Sequence, residues 1–193
     1  MLALRAQGFR RLVRPLFSAA TLSGMTSFDL RSVKLRSGEE FRDEVDVAIA
    51  PLELGGQRYI AVPEQVPAEL VVQRASTGTV FELRLTVRLH GPCVRCLTDA
   101  VLDLPIHGRE YQANRPEGAE ELVNQYLHDD RLDLSGWARD CVAVALPEKI
   151  LCRPDCAGLC PTCGRDLNLE PHQHEEEVVD SRWSALAELR DEL

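Results

Sequence analysis

With 193 residues, 45% of them hydrophobic, the chain is long enough to bury a core without disulfide staples. Its formal charge is −9, and unevenly spread: residues 1–24 carry Arg5, Arg10, Arg11 and Arg14 and no acid, leaving 18 basic against 31 acidic side chains, −13, in the rest. Such an acidic body argues against gripping nucleic acid through bulk electrostatics, and no apolar run approaches the 18 residues of a membrane-spanning helix.

The Arg-rich start resembles an organellar transit peptide in composition, but its apolar runs are too short for a secretory signal. A disordered extension over residues 1–26, or a true start at Met25 in place of Met1, is the expectation. Residues 27–112 read as short β-strands. VDVAIA (45–50) alternates and runs into PLELGGQRYIAV, where Gly55-Gly56 marks a hairpin turn. ELVVQRASTGTVFELRLTVRL follows, with Ser76-Thr77-Gly78 as the next turn. Phe81, Leu83, Leu85, Val87 and Leu89 share one face of this strand, and Glu82, Arg84, Thr86 and Arg88 share the other. HGPCVRCLTDA is a tight connection and AVLDLPIHGREYQA a returning strand. Together these predict an α+β protein whose sheet is an antiparallel β-meander or partly open barrel with one dry face.

Residues 113–193 read as a helical region entered through the polar stretch ANRPEGAEE. AEELVNQYL is weakly amphipathic. LDLSGWARDCVAVAL predicts a stronger helix with Ser135 as N-cap, a buried stripe of Trp137, Cys141, Val144 and Ala145, and Pro147 as its end. SRWSALAELRDEL predicts a closing helix capped by Ser181 with Trp183, Leu186, Leu189 and Leu193 inward. The final RDEL is read as that helix's end and not as a retention signal.

The densest chemistry lies at 151–168, LCRPDCAGLCPTCGRDLN, with Cys152, Cys156, Cys160 and Cys163 inside twelve residues. Seven cysteines in a chain without an export signal point to a reducing, cytoplasmic setting, where clustered thiols serve as metal ligands. Zn²⁺ takes four thiolate or imidazole donors in a tetrahedron, and donors two or three residues apart on a tight turn converge on one ion. Two ligand sets are open. In the local set Cys152, Cys156, Cys160 and Cys163 enclose one structural ion, which the small loop-closure cost favours. In the other, Cys93 and Cys96 of GPCVRCL join two C-terminal cysteines, most simply Cys160 and Cys163. His172 and His174, beside EEE, read as a solvated tail, and Cys141 as a core residue. A redox CxxC opens a helix within a βαβ unit, and a catalytic zinc keeps an open position beside a general base. Neither pattern is present, nor a nucleophile elbow, HExxH motif or phosphate loop, so no catalytic residue is assigned and the chain is expected not to be an enzyme.

CVRCL after an alternating strand, VALPEKILC, CRPDCAGLCPTCGRDLN and VVDSRWSALAEL resemble the bacterial YceD family, named as large ribosomal RNA subunit accumulation proteins. The resemblance covers roughly residues 27–190. It implies a cytoplasmic protein of bacteria or organelles needed for normal levels of large-subunit ribosomal RNA, and it supplies a process and not a reaction. By position, Cys93 and Cys96 match the family's central pair, and Cys152, Cys156, Cys160 and Cys163 its C-terminal cluster.

Arg84, Arg88 and His90 on the outward strand face, with Arg95 in the CxxC turn, suggest a small basic strip able to touch ribosomal RNA backbone or an acidic partner. A rival expectation is chaperoning of a basic ribosomal protein, with Glu175 to Glu177 as counter-charge. A thiol–disulfide redox protein is the third and weakest reading. Neither a membrane nor a small-molecule substrate is expected as a partner.

Overall fold

The computed structural model describes residues 25–115 and 122–174. Among them lie nine strands and one α-helix: β1 (Ser27–Asp29), β2 (Glu40–Ala48), β3 (Leu52–Leu54), β4 (Gln57–Ala61), β5 (Gln65–Arg74), β6 (Gly78–Pro92), β7 (Asp99–Ala113), β8 (Leu127–His128), β9 (Arg131–Asp133) and α1 (Leu134–Ala145). The expected basic extension lies almost wholly outside the described residues. So do the closing helix of 181–193 and Glu175 to Glu177.

The period-two segments become the main sheet. β6 and β7 are each 15 residues long and pair antiparallel from Gly78↔Ala113 to Pro92↔Asp99. Phe81, Leu83, Leu85, Val87 and Leu89 of β6 are all buried, as the alternation requires, and face the core with Leu104 and Ile106 of β7. Each fully buried side chain of this kind contributes about 1.5–3 kcal/mol. β5 pairs with the first half of β6, Leu70 opposite Leu83 and Val72 opposite Phe81, and β2 pairs with β5. Gly55 and Gly56 have φ of +55° and +76°, so the β3–β4 hairpin closes through the glycine turn expected of it.

The antiparallel sheet with a dry face is as expected, but its strands do not follow strict sequence order: β2 lies beside β5, and the β3–β4 hairpin is carried past them. β4 does not lie between its chain neighbours: it pairs with β6 at Ile60↔His90 and Ala61↔Leu89, beyond the point where β5 ends. A strand of 15 residues spans roughly 50 Å and therefore seats two partners along one edge. Where β4 reaches β6, the Tyr59 ring lies fully buried against Gly91, and its hydroxyl donates to the Pro92 carbonyl at 2.8 Å. A Cβ on Gly91 would stand less than 3.0 Å from three atoms of that ring. Gly91→Ala is therefore expected to lower stability by about 1–3 kcal/mol in urea unfolding. The loss should shrink when Tyr59 is first replaced by Leu.

Three helical expectations are corrected. Residues 122–127, the described end of AEELVNQYL, form turns and run into the short strand β8 instead of an α-helix. Buried Asn124 bends the chain by accepting from the Tyr126 N–H at 2.8 Å, a local bond that competes with helix. The N-cap of α1 is Asp133, whose carboxylate accepts from Gly136 N–H at 3.0 Å, while Ser135 lies inside the helix and accepts from Thr26 N–H at 2.8 Å. The buried stripe is Leu134, Trp137, Ala138 and Val142, rotated from the expected one, so Ala145 is exposed and Val144 is 88% exposed. A small sheet, ordered β1-β9-β8, sets the stripe's direction by fixing the helix start against the N-terminal strand. The regions 27–112 and 113–193 are thereby joined by β1–β9 pairing as well as by α1 packing on β7.

Candidate metal centre

The β6–β7 hairpin ends in Cys93-Val94-Arg95-Cys96-Leu97-Thr98, and its backbone folds into a knuckle. Cys93 N–H donates to the Thr98 carbonyl at 2.7 Å, and Leu97 N–H to the Cys93 carbonyl at 2.9 Å, with Leu97 at φ +62°. After α1 the chain returns to this tip. The Val94 N–H donates to the Ile150 carbonyl at 3.0 Å, the Leu159 N–H to the Arg95 carbonyl at 3.1 Å, and the Arg95 guanidinium to the Cys156 carbonyl at 2.6 Å. Gly158, at φ +84°, lets the backbone pass close to Arg95.

This docking brings Cys93, Cys96, Cys152 and Cys156 together, their sulfur atoms all within 4.8 Å of one another. Cys93 and Cys156 sulfurs lie 3.8 Å apart, and those of Cys96 and Cys152 lie 3.5 Å apart. A tetrahedral ZnS₄ unit with bonds near 2.3 Å has sulfur–sulfur edges of about 3.8 Å, so the donor set fits such an ion. A disulfide needs about 2.05 Å, and all seven cysteines are free. Cys93, Cys96 and Cys156 are buried and Cys152 is exposed. Asn168 supports the site from outside, its amide nitrogen lying 3.6 Å from the Cys156 sulfur and its oxygen accepting from Ala157 N–H at 2.8 Å.

The electrostatics of this group are split. Burial pushes the Cys93 thiol up, but the N–H groups of Cys96, Cys152 and Arg95 together outweigh it and bring the thiol down to about 6. The Thr98 hydroxyl and N–H hold Cys96 below the usual thiol range. Burial, with the sulfurs of Cys96, Cys156 and Cys93, pushes Cys152 up to about 11. Cys93 and Cys96 are thus biased toward thiolate while their neighbour Cys152 is biased toward the neutral thiol, as expected where like charges would crowd together and a bound cation would offset them.

A second group lies at the other end of the same segment: Cys160, Cys163, His172 and His174, with one donor atom of each within 4.8 Å of the others. The local set is not the one these sulfurs form, and the second expected set is met in outline though not in its simplest pairing. The local set is divided, Cys152 and Cys156 going to the hairpin and Cys160 and Cys163 to the histidines. Cys93 and Cys96 do join C-terminal cysteines, but the other pair. Loop closure does not decide the pairing, because the sheet and α1 already bring residues 56 apart in sequence to the same place. His172 and His174 are gathered beside thiols and are not merely a solvated tail. A signal was available: six clustered cysteines and two histidines make eight donors, two complete shells, with Cys141 left over.

The basic strip is held by acids. Arg84 pairs with Glu82 at 2.7 Å and Glu69 at 3.5 Å, Arg88 pairs with Asp103 at 2.7 Å, and Arg95 is engaged with the tail. The hairpin tip instead exposes apolar side chains: Val94 and Leu97 on the knuckle, with Ile60 and Val101 flanking His90 in the neighbouring row of the sheet. Cys141 sits in an open groove between β7 and α1, beside Glu110 and Asp140. Burial, with those carboxylates, pushes its thiol up, the wrong direction for a nucleophile. No helix among the described residues is long and apolar enough to cross a membrane.

A profile of the family described as large ribosomal RNA subunit accumulation protein YceD matches residues 81–190, from the start of the dry β6 face through both donor groups. The chain belongs to the YceD family. An uncharacterized protein of Mycobacterium tuberculosis is 35% identical to it over 133 residues, covering 63% of this chain and 60% of the relative. One of Mycobacterium leprae is 30% identical over 133 residues, covering 63% and 57%. The chain thus spans about 60% of the length of the curated relatives it matches. No solved structure matches this YceD chain.

Proposed function

We propose that this chain is a non-catalytic cytoplasmic factor supporting accumulation of large-subunit ribosomal RNA, with a thiolate-bound structural zinc clamping its tail to the sheet. The observation that carries the metal reading is the Cys93, Cys96, Cys152 and Cys156 group, whose sulfur spacing suits a ZnS₄ unit. Four thiolates would fill the zinc shell and leave no position for water or substrate, which suits a structural ion and not a hydrolytic one. The ribosomal process comes from the family's name and is tested in cells. In a strain lacking the gene, the wild-type chain is expected to restore the ratio of large- to small-subunit ribosomal RNA, and the Cys93→Ser/Cys96→Ser variant to restore it less. An unchanged ratio in the deletion strain itself would refute the reading.

A protein partner is favoured over direct phosphate contact by one observation, the hairpin tip. Leu97 is 56% exposed and holds a left-handed conformation (φ +62°) that an L side chain adopts at a cost of about 1–2 kcal/mol, while the Arg84 and Arg88 guanidinium groups on the sheet face are already paired. A basic ribosomal protein or assembly factor touching the apolar tip and the acidic body fits both features. Leu97→Gly is expected to keep fold and metal and to weaken co-purification of that partner from RNase-treated lysate. Co-purification abolished by RNase or by Arg84→Glu/Arg88→Glu, and untouched by Leu97→Gly, would transfer the reading to RNA.

A further inference from the structure

We propose that Cys160, Cys163, His172 and His174 form a second metal site, which takes a zinc-class divalent cation independently and exchanges it faster than the tetrathiolate group does. It shares with the function proposed above the premise that the clustered thiols bind metal, and it adds a second ion of different character.

The backbone gives the first support. Cys160 N–H donates to the Arg165 carbonyl at 2.8 Å, and Gly164 N–H to the Cys160 carbonyl at 2.8 Å, with Gly164 at φ +72°. At the hairpin tip the corresponding bonds run from Cys93 to Thr98 and from Leu97 to Cys93, with Leu97 at φ +62°. The two CxxC turns therefore share hydrogen-bond offsets and left-handed position. The second knuckle is closed at its base by the bridge between Leu159 and Asp166.

The histidines give the second. His172 Nδ1 lies 2.7 Å from the Glu170 carbonyl, an atom that only accepts, so Nδ1 bears the hydrogen. In the neutral ring this leaves the Nε2 lone pair free, and Nε2 is the atom facing the Cys163 sulfur at 3.1 Å. A carbonyl that fixes the far nitrogen is the usual support of a metal-ligating imidazole, because it sets both tautomer and ring direction. The His174 ring stands edge-on to His172, centroids 5.0 Å apart at 90°, and offers the fourth donor. Two thiolates and two imidazoles are a complete zinc shell.

The two groups differ in charge and access. Four thiolates around a divalent ion leave −2, whereas two thiolates and two neutral imidazoles leave zero. In the first group three of four donors are buried; in the second only Cys160 is, with Cys163 and His174 exposed. An incoming chelator meets three exposed or half-buried donors at the second group, but only Cys152 ahead of three buried sulfurs at the first.

The test uses the full chain purified under reducing conditions, with zinc counted by elemental mass spectrometry and its release to EDTA followed over time. Wild type is expected to carry two ions and to release one at least tenfold faster than the other. His172→Ala/His174→Ala should carry one ion and lose the fast phase, and Cys96→Ser should lose the slow one. Both rings lie outside the core, so the histidine variant is expected to keep the wild-type fold; cobalt bound to it should give a purely tetrathiolate spectrum. A single ion in wild type, lost in Cys96→Ser and untouched in the histidine variant, would overturn the second site and leave the clamp standing. Two ions leaving in one phase would overturn the difference in exchange. No zinc bound, even after reconstitution with ZnCl₂, would overturn both sites together.

Discussion

Cys96→Ser is expected to remove one bound ion, lower stability by about 4 kcal/mol at a thousandfold excess of free zinc over its dissociation constant, and expose the segment after Ile150 to protease. Cys96 is 5% exposed, its sulfur 3.0 Å from the Thr98 hydroxyl and 3.5 Å from the Cys152 sulfur. Serine fits the space but supplies a neutral hydroxyl in place of a thiolate. Three remaining sulfurs would bind the ion more weakly, and the buried Cys93 and Cys156 would still be confined beside one another. In small zinc peptides the whole folding free energy, about 10–16 kcal/mol apparent, comes from the metal. Here the sheet has its own apolar core, so the loss falls on the hairpin–tail junction: the Val94–Ile150 and Leu159–Arg95 backbone bonds and the Arg95–Cys156 contact. Limited proteolysis should cut wild type slowly between 150 and 168, and both chelated wild type and Cys96→Ser quickly. Equal cutting of all three would show that the junction stands without metal.

Trp137→Ala is expected to destabilise the chain by about 3–5 kcal/mol without changing its metal content. For a chain of this length that is a fall of roughly 10 °C in Tm. Trp137 is 1% exposed and stacks on Tyr126, centroids 6.2 Å apart. It is the largest side chain joining α1 to the sheet, and it sits there because Gly108 leaves room: a Cβ on Gly108 would meet Trp137 Nε1 and the Cys141 sulfur, both at 2.9 Å. Gly108→Ala alone is therefore expected to cost about 1–3 kcal/mol and much less in the Trp137→Ala background, a coupling that urea unfolding of the four proteins would measure. Additive losses would mean that the close approach of helix to strand does not depend on this pair.

These two expectations separate the molecule's supports. The core under β6 and β7 holds the sheet and α1 together by apolar burial, and in the function proposed above a metal held by the donor groups fastens the segment beyond the helix. A variant that weakens one support and spares the other tests each independently.

Much of the first support was legible in the residues. The alternation over 81–89, the returning strand after CVRC and the turn at Gly55-Gly56 each obey a local rule, period two or the need for positive φ. Phe81, Leu83, Leu85, Val87 and Leu89 could be placed in a core without any structure. The helix over 134–145 was legible in its existence but not in its rotation. Trp137, Cys141, Val144 and Ala145 make as plausible a stripe on a helical wheel as Leu134, Trp137, Ala138 and Val142. Pairing of β1 with β9 decides between them, because it fixes the direction in which α1 leaves Asp133.

The donor groups divide along the same line. That cysteines at 93, 96, 152, 156, 160 and 163 form turns suited to metal is a property of CxxC spacing, glycine and proline, and the sequence alone determined it. Which turn meets which was decided in three dimensions. Chain separation favoured the nearest four sulfurs, yet the cost of closing a loop rises only slowly with length. Two paired strands of 15 residues carry Cys93 and Cys96 to the place where the chain leaves α1. Once that framework stands, Cys152 and Cys156 meet the hairpin first. Cys160 and Cys163 are left to the next donors along the chain, His172 and His174.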